Sequence, residues 1–255
     1  MTQESLANSV ALVTGATSGI GLATAEMFAQ RGCKVVLAGR RAELGDAAVE
    51  SIRAGGGEAI FVQTDVTDED QVQSLVEATI NQYGSLDIAF NNAGIEGDPL
   101  IPLHESSLEN FDRVFLTNVR SVFSCMQHEV RAMLAGGGGA IVNNASIAGL
   151  IGFPGLATYS ASKHAVIGLT KTAALEYAEH GIRVNAIAPA VIETQMFDRI
   201  AGNDDELIEF MRTLHPMKRF GESAEVAQVV VWLASPENSF TTGITVPIDG
   251  GFTAQ

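Results

Sequence analysis

At 255 residues and 46% apolar composition, the chain is long and hydrophobic enough to bury a full core. This excludes disorder and suits a single α/β domain over 1–255. Its 30 acidic residues against 15 basic ones leave a net charge of −15, with basic residues adjacent only at Arg40-Arg41 and Lys218-Arg219, so the clustered positive footprint that nucleic acid needs is absent. The start, Met1-Thr-Gln-Glu-Ser, has no basic segment ahead of an apolar one, and the apolar run Val229 to Ala234 is too short to span a bilayer; a cytoplasmic protein without membrane contact is expected.

The first β-branched run, Val10 to Val13, leads into Thr14-Gly-Ala-Thr-Ser-Gly-Ile-Gly21 and a helical stretch reaching Gln30. Strands are then expected at Val35–Leu37, Ala59–Val62, Leu86–Phe90, Ala140–Val142, Ile182–Val184 and Ile244–Val246. Helices are expected at Asp68–Tyr83, Leu108–Leu134, Tyr159–His180 and Ala224–Leu233. Seven strands separated by helices imply repeated βαβ units, hence a doubly wound parallel sheet with helices on both faces. The glycine clusters Gly55–Gly57 and Gly136–Gly139 read as turns. Cys33, Cys125 and the five histidines match no metal or redox spacing, so no metal is expected and both thiols should be reduced.

The turn after the first strand has the form of a dinucleotide cradle. Gly15 permits the tight turn, Gly19 lets backbone approach a pyrophosphate, and Gly21 lets helix pack on strand, while free N–H groups of Ile20 and its neighbours face the anion. Thr17 and Ser18 add hydroxyls. At the end of the second strand an NAD site usually offers a carboxylate, but this chain has Gly39 followed by Arg40 and Arg41. Guanidinium groups there suit a 2′-phosphate, which favours NADP(H) over NAD(H). Asp65 and Val66 past the third strand, and Asn91-Asn-Ala93-Gly94 after the fourth, also lie at strand carboxyl ends, where ligands bind in such sheets.

Ser146 follows the fifth strand, and Tyr159 and Lys163 stand four apart at the start of a helix, on one face. A neighbouring ammonium is expected to lower the phenol's pKa from near 10 and make Tyr159 a general acid and base. The ordered set of Thr14-Gly…Gly-Ile-Gly21, Asn91-Asn-Ala-Gly94, Asn118, Ser146, Tyr159 with Lys163, Asn185-Ala-Ile-Ala-Pro189 and Asp249-Gly-Gly251 resembles the short-chain dehydrogenase/reductase family from end to end. The resemblance implies a single Rossmann-type domain with a seven-stranded parallel sheet, assembled as a homotetramer through the helices 108–134 and 159–180. It also implies that Asn118 holds a water in a proton relay to Lys163, that Lys163 bonds the nicotinamide ribose, and that Ser146 and Tyr159 bind the substrate oxygen. Pro189, Ile192 and Thr194 would position the nicotinamide and pyrophosphate. Two departures stand out: Ala190 replaces the glycine that commonly follows this proline, and Ser18 occupies a place that is basic in many NADP-preferring relatives.

Substrate contacts are expected from loops 95–103 and 148–156 and from a lid spanning about 190–216, with Ile95, Ala148, Leu150, Ile151, Phe153, Met196, Phe197, Ile200, Phe210 and Met211 as candidate apolar walls. The expected activity is interconversion of a neutral, fairly hydrophobic ketone and its secondary alcohol with NADP(H). A 3-oxoacyl-carrier reductase and a sugar or polyol dehydrogenase are alternatives, and an NADPH-sensing regulator is the non-enzymatic one.

Overall fold

The computed structural model describes residues 6–202 and 204–254, with the side chains of 198, 200 and 201 outside that description. The Met1–Ser5 start, the Ile200 wall and the terminal Gln255 therefore lie outside the described residues. Strands β1 (Val10–Thr14), β2 (Lys34–Gly39), β3 (Glu58–Gln63), β4 (Ile88–Asn91), β5 (Gly139–Asn144), β6 (Ile182–Pro189) and β7 (Thr245–Ile248) form one sheet in the order β3-β2-β1-β4-β5-β6-β7. Every pairing is parallel. Strand order reverses between β1 and β4, and ligands in such sheets bind outside the carboxyl ends at that switch point.

Nine α-helices connect the described strands: α1 (Gly19–Gln30), α2 (Ala42–Ala54), α3 (Glu69–Tyr83), α4 (Leu108–Phe115), α5 (Ser121–Gly136), α6 (Ala157–Tyr177), α7 (Gln195–Ala201), α8 (Asp205–Thr213) and α9 (Ser223–Ala234). Successive strand residues alternate between the two faces, because a strand's side-chain period is two. Ala11, Val13, Val35 and Leu37 pack on one side with Phe28 of α1, Ile52 of α2 and Val230 of α9. Leu12 and Val36 pack on the other with Leu75 of α3, Val122 of α5 and Val166 of α6.

All seven expected strands are present, with shifted ends. The fourth begins at Ile88 rather than Leu86, because Asp87 is occupied as a local cap whose carboxylate accepts from the Val10 N–H at 2.7 Å and the Ser85 hydroxyl at 2.9 Å. The helix expected over 108–134 is three pieces: α4, a π-helical turn at Leu116–Arg120, and α5. Lid helices α7 and α8 lie inside a stretch, about 190–216, that the sequence pattern marks only as loop. Among the described residues no helix is long and apolar enough to cross a membrane, and no group of three His, Cys, Asp or Glu residues is placed to hold a metal ion.

Candidate active site

The glycine turn and the start of α1 form one end of the site. Gly15 and Gly19 adopt φ of +63° and +56°, open to glycine at little cost. A Cβ on Gly21 would collide with the Gly15 carbonyl oxygen and lie 2.6 Å from Asn92 Nδ2. The α1 N-terminus has no acidic residue in its first turn, and its N-cap Ser18 makes no side-chain cap bond. In contrast, α3 is capped by Asp68, which accepts from Asp70 and Gln71 N–H, and carries Glu69 and Asp70 in its first turn. One helix N-terminus is neutralised internally, while the one at the switch point keeps its donors and positive end for an anion. A pyrophosphate-bearing dinucleotide fits this cradle. Replacing Gly21 by Ala is expected to weaken coenzyme binding at least about tenfold, measured as coenzyme Kd, because backbone rather than a flexible side chain must move.

The two arginines after β2 are placed differently. Arg41 lies over the turn, its Nη2 donating to Thr17 Oγ1 and Ser18 Oγ at 2.8 Å each and its Nη1 to Gln195 Oε1 at 3.2 Å. Thr17 and Ser18 thus accept from Arg41. Arg40 is exposed, with no side-chain partner among the described residues. Asp65 is engaged locally, accepting from the Thr67 N–H and hydroxyl at 3.0 and 2.8 Å, and Val66 packs with Val72 and Cys125.

At the end of β4 the motif splits its work. The Asn91 amide is buried and donates to Glu129 Oε2 at 2.9 Å and Asn143 Oδ1 at 3.0 Å, away from the cleft. Asn92, which the sequence reading did not single out, donates to the Thr14 and Gly15 carbonyls at 3.1 and 3.2 Å and accepts from Asn144 at 2.9 Å, binding β4 and β5 to the glycine turn. Its polar amide beside two glycine-flanked strand ends was the available signal. Ala93 lies 3.0 Å from where a Gly15 Cβ would stand.

Asn118 sits in the π-helical turn, 1% exposed. Its Oδ1 accepts from the Ile95 N–H and its Nδ2 donates to the Ile95 carbonyl, both at 2.8 Å, with a third bond to Ser162 Oγ at 3.1 Å. A Cβ on Gly94 would stand 3.2 Å from Asn118 Oδ1 and 3.6 Å from Lys163 Nζ, so Gly94, Asn118 and Lys163 converge. A widened π turn of this kind frequently marks a functional position. Ser146, N-cap of a short 3₁₀ turn at 147–149, accepts from the Ala148 N–H at 3.1 Å and hydrogen-bonds the Tyr159 phenol. Lys163 donates to the Asn144 carbonyl at 2.7 Å, and its Nζ lies 5.6 Å from the Tyr159 ring centroid.

The expectation that Lys163 lowers the Tyr159 pKa is corrected here. Burial pushes the phenol up to about 12, with the Ser146 hydrogen bond acting downward and the Glu96 charge adding to the rise. Burial also brings the Lys163 ammonium down to about 8. Desolvation penalises both charged forms, so the phenol rises and the ammonium falls.

Pro189 ends β6, its carbonyl accepting from Ser146 Oγ at 3.4 Å. The Ile192 side chain belongs to the core, while the Thr194 methyl would stand 3.2 Å from a Gly19 Cβ, bringing the lid's start against the glycine turn. Ala148 is buried, and Ile95, Ile151 and Met196 are half-buried. Phe153 and Phe197 end a chain of rings running through Phe252, His215 and Phe220 at centroid separations of 4.8 to 5.8 Å. Phe197 also lines a cleft of about 350 Å³ with Glu193, Thr194, Ile208 and Arg212, so that wall is mixed rather than purely apolar. Phe210 is exposed and Leu150 marginally so. The sequence reading also missed Glu96, held by Arg199 at 2.7 Å, and the helical lid. Asp204-Asp205-Glu206 was the usable signal for α8, since Asp204 accepts from the Leu207 N–H at 2.9 Å and acids fill the first turn.

A glycine-cradled helix terminus at a sheet's switch point, with a Ser–Tyr–Lys cluster across the cleft, defines a nucleotide-dependent oxidoreductase. Residues 15–253 match the sequence family described as Enoyl-(Acyl carrier protein) reductase. The chain is 44% identical to the 2,5-dichloro-2,5-cyclohexadiene-1,4-diol dehydrogenase of Sphingobium indicum over 98% of each protein. It is 44% identical to the cyclohexanol dehydrogenase of an Acinetobacter species, covering 97% of this chain and 96% of that one. With the 3-oxoacyl-[acyl-carrier-protein] reductase of Staphylococcus aureus it shares 42% identity over 94% and 96%. Levodione reductase superposes with a TM-score of 0.94 at 38% identity, over 97% of this chain and 98% of that one. NAD⁺-bound xylitol dehydrogenase gives 0.92 at 36%, over 97% and 100%. The chain belongs to the short-chain dehydrogenase/reductase family, whose members use nicotinamide cofactors, and is an oxidoreductase of alcohols and ketones.

Proposed function

We propose that this protein is an NADP(H)-dependent enzyme interconverting a neutral, hydrophobic, preferably alicyclic ketone and its secondary alcohol. The observation that carries the reading is the convergence of Ser146, Tyr159 and Lys163 beside the Asn118 turn, with Ser146 following β5 at the same carboxyl-end edge of the sheet as the glycine cradle after β1. When bound, the nicotinamide gives or takes the hydride. The protein's own part is to orient the substrate oxygen by the Ser146 and Tyr159 hydroxyls and to move one proton at the Tyr159 oxygen. Lys163 and Asn118 lie beside it for relay, and Gly15 to Gly21, Asp65, Val66, the main chain of Asn91, Ala93, Gly94, Pro189, Ile192 and Thr194 would hold the coenzyme. Ring-shaped substrates are favoured by the names of the cyclohexanol and cyclohexadienediol dehydrogenases it resembles.

The NADP(H) preference rests on Gly39, Arg40 and Arg41. A Cβ on Gly39 would already be 2.9 Å from the Thr17 methyl, which leaves no room for a ribose-binding carboxylate there. Arg40, unpaired among the described residues, is the group available to a 2′-phosphate. Arg40→Ala is expected to raise KM for NADPH about tenfold and leave that for NADH nearly unchanged. Initial rates with both coenzymes on cyclohexanone, open-chain ketones, a 3-oxoacyl thioester and a sugar lactone test the whole reading. Equal rates with NADH would overturn the phosphate clamp.

A 3-oxoacyl-carrier reductase is the second reading, favoured by the 42% identical Staphylococcus aureus enzyme. The net charge of −15 speaks against an acidic carrier partner, and activity confined to the thioester would decide for it. A homotetramer built on the helices 108–134 and 159–180 is supported by the exposed Leu108, Phe111, Phe123 and Leu175 on α4 to α6, and sedimentation tests it. Free, buried Cys33 and Cys125 suit a reducing cytoplasm.

A further inference from the structure

The loop after β4 is pinned residue by residue. Ile95 is held through both backbone polar groups by Asn118, Gly97 packs against Val114 and Asn110, and the Asp98 N–H donates to Asn110 Oδ1 at 3.0 Å. Between these anchors Glu96 keeps its side chain 13% exposed and shares a small cavity with Tyr159. Its carboxylate takes two bonds from Arg199, Nε to Oε1 at 2.7 Å and Nη2 to Oε2 at 3.2 Å. Arg199 belongs to α7, whose first residue Gln195 is held by Arg41 on the opposite side of the cleft. Helix α7 therefore crosses the cleft, tied to the coenzyme end by Arg41 and to the substrate end by Glu96.

We propose that Glu96 and Arg199 are positioning residues whose ion pair latches α7 over the substrate and masks the Glu96 charge from the Tyr159 oxygen. The inference rests on the oxidoreductase reading above. The groups facing Glu96 are Arg199 from α7, Arg113 from α4, which is itself paired with Asp98 of the same loop at 2.6 Å, and Tyr159 from α6. Arg199 and Arg113 hold the Glu96 carboxyl below its usual range against the effect of its burial. The carboxylate in turn raises the proton affinity of Tyr159. Removing either partner should loosen the lid, but the two removals act on Tyr159 with opposite sign. Without Glu96 the phenol loses a nearby anion; without Arg199 it meets an unmasked one. A brace with no electrostatic role predicts no such divergence.

The test compares wild type, E96Q, R199M and E96Q/R199M with cyclohexanol and NADP⁺. Each single variant is expected to raise the alcohol KM about three- to tenfold, with coenzyme Kd unchanged. The rising limb of the pH–rate profile should move to lower pH in E96Q and to higher pH in R199M. The double variant should be no worse in KM than the worse single one. Hydrogen exchange across residues 195–201, which needs no turnover, should quicken in all three. Because E96Q and R199M alter different elements, one remains informative if the other fails to fold. Limbs moving in the same direction or not at all, additive KM effects, or unchanged exchange would overturn the latch. Quickened exchange in the variants, with a wild type inert on every alcohol and ketone, would instead overturn the activity and leave the latch standing.

Discussion

Tyr159→Phe is expected to lower kcat in both directions by about 10²- to 10⁴-fold while leaving coenzyme Kd unchanged, because it deletes one oxygen and the proton it carries. The Ser146 hydroxyl would remain to orient the substrate, but no other described hydroxyl in the cluster stands beside the Lys163 ammonium on the same helix face. Burial holds the Tyr159 phenol near 12, so at neutral pH it is protonated and ready to donate to a developing alkoxide. Reduction should accordingly be flat through neutral pH. Oxidation needs the deprotonated form, whose fraction grows as pH rises, so kcat/KM for the alcohol should climb steadily from pH 6 to 10. Lys163, brought down to about 8 by burial, titrates inside that range and should put the one bend in the climb near pH 8. Steady-state rates in both directions across pH 6 to 10 check this, and retention of wild-type kcat by Tyr159→Phe would remove the proton-transfer role.

The second large effect is expected in stability rather than turnover, at Glu129 of α5. This carboxyl is 1% exposed, beneath the β4 and β5 ends. It accepts from Asn91 Nδ2 at 2.9 Å, while Glu129 Oε1 and Asn91 Oδ1 are buried without partners among the described residues. A proton on Glu129 would remove the buried charge. Burial pushes the group up to about 7 from an ordinary 4.5, with the Asn91 bond only partly opposing. Between those two pH values the unfolded chain has released the proton and the folded chain retains it. Glu129 therefore contributes its full stability below about pH 4.5 and loses it as pH rises through 7, a change of about 3 kcal/mol. Glu129→Gln, whose amide oxygen can still accept from Asn91 and which carries no titrating group, should flatten this slope and be the more stable protein at pH 8. Denaturant unfolding at pH 5 and pH 8 checks it, and a wild-type slope in the variant would sink it.

Much of this was legible in the chain itself. Strands such as Val35–Leu37 announced themselves because a parallel strand buried on both faces must be apolar along its length. Gly15, Gly19 and Gly21 stood out because left-handed backbone and close approach admit little else. Tyr159 and Lys163 were visible because helix geometry fixes the meaning of a spacing of four. What local pattern cannot carry is contact between distant segments and the dielectric around a group. Asn91 ends β4 and Asn92 follows it directly, yet one side chain goes to Glu129 and the other to the glycine turn. Arg40 and Arg41 are adjacent and chemically alike, yet only Arg41 meets Thr17, Ser18 and the lid.

The sequence by itself determined the parallel α/β architecture and marked the glycine turn and the Ser146, Tyr159 and Lys163 set, through residue type and spacing together with the family resemblance. Only the tertiary structure decided that burial raises Tyr159 rather than lowering it, that Glu129 holds its proton to about 7, and that Glu96 meets Arg199 across 103 positions. Those outcomes depend on how completely water is excluded and on which distant charges fold together, and no local pattern encodes either.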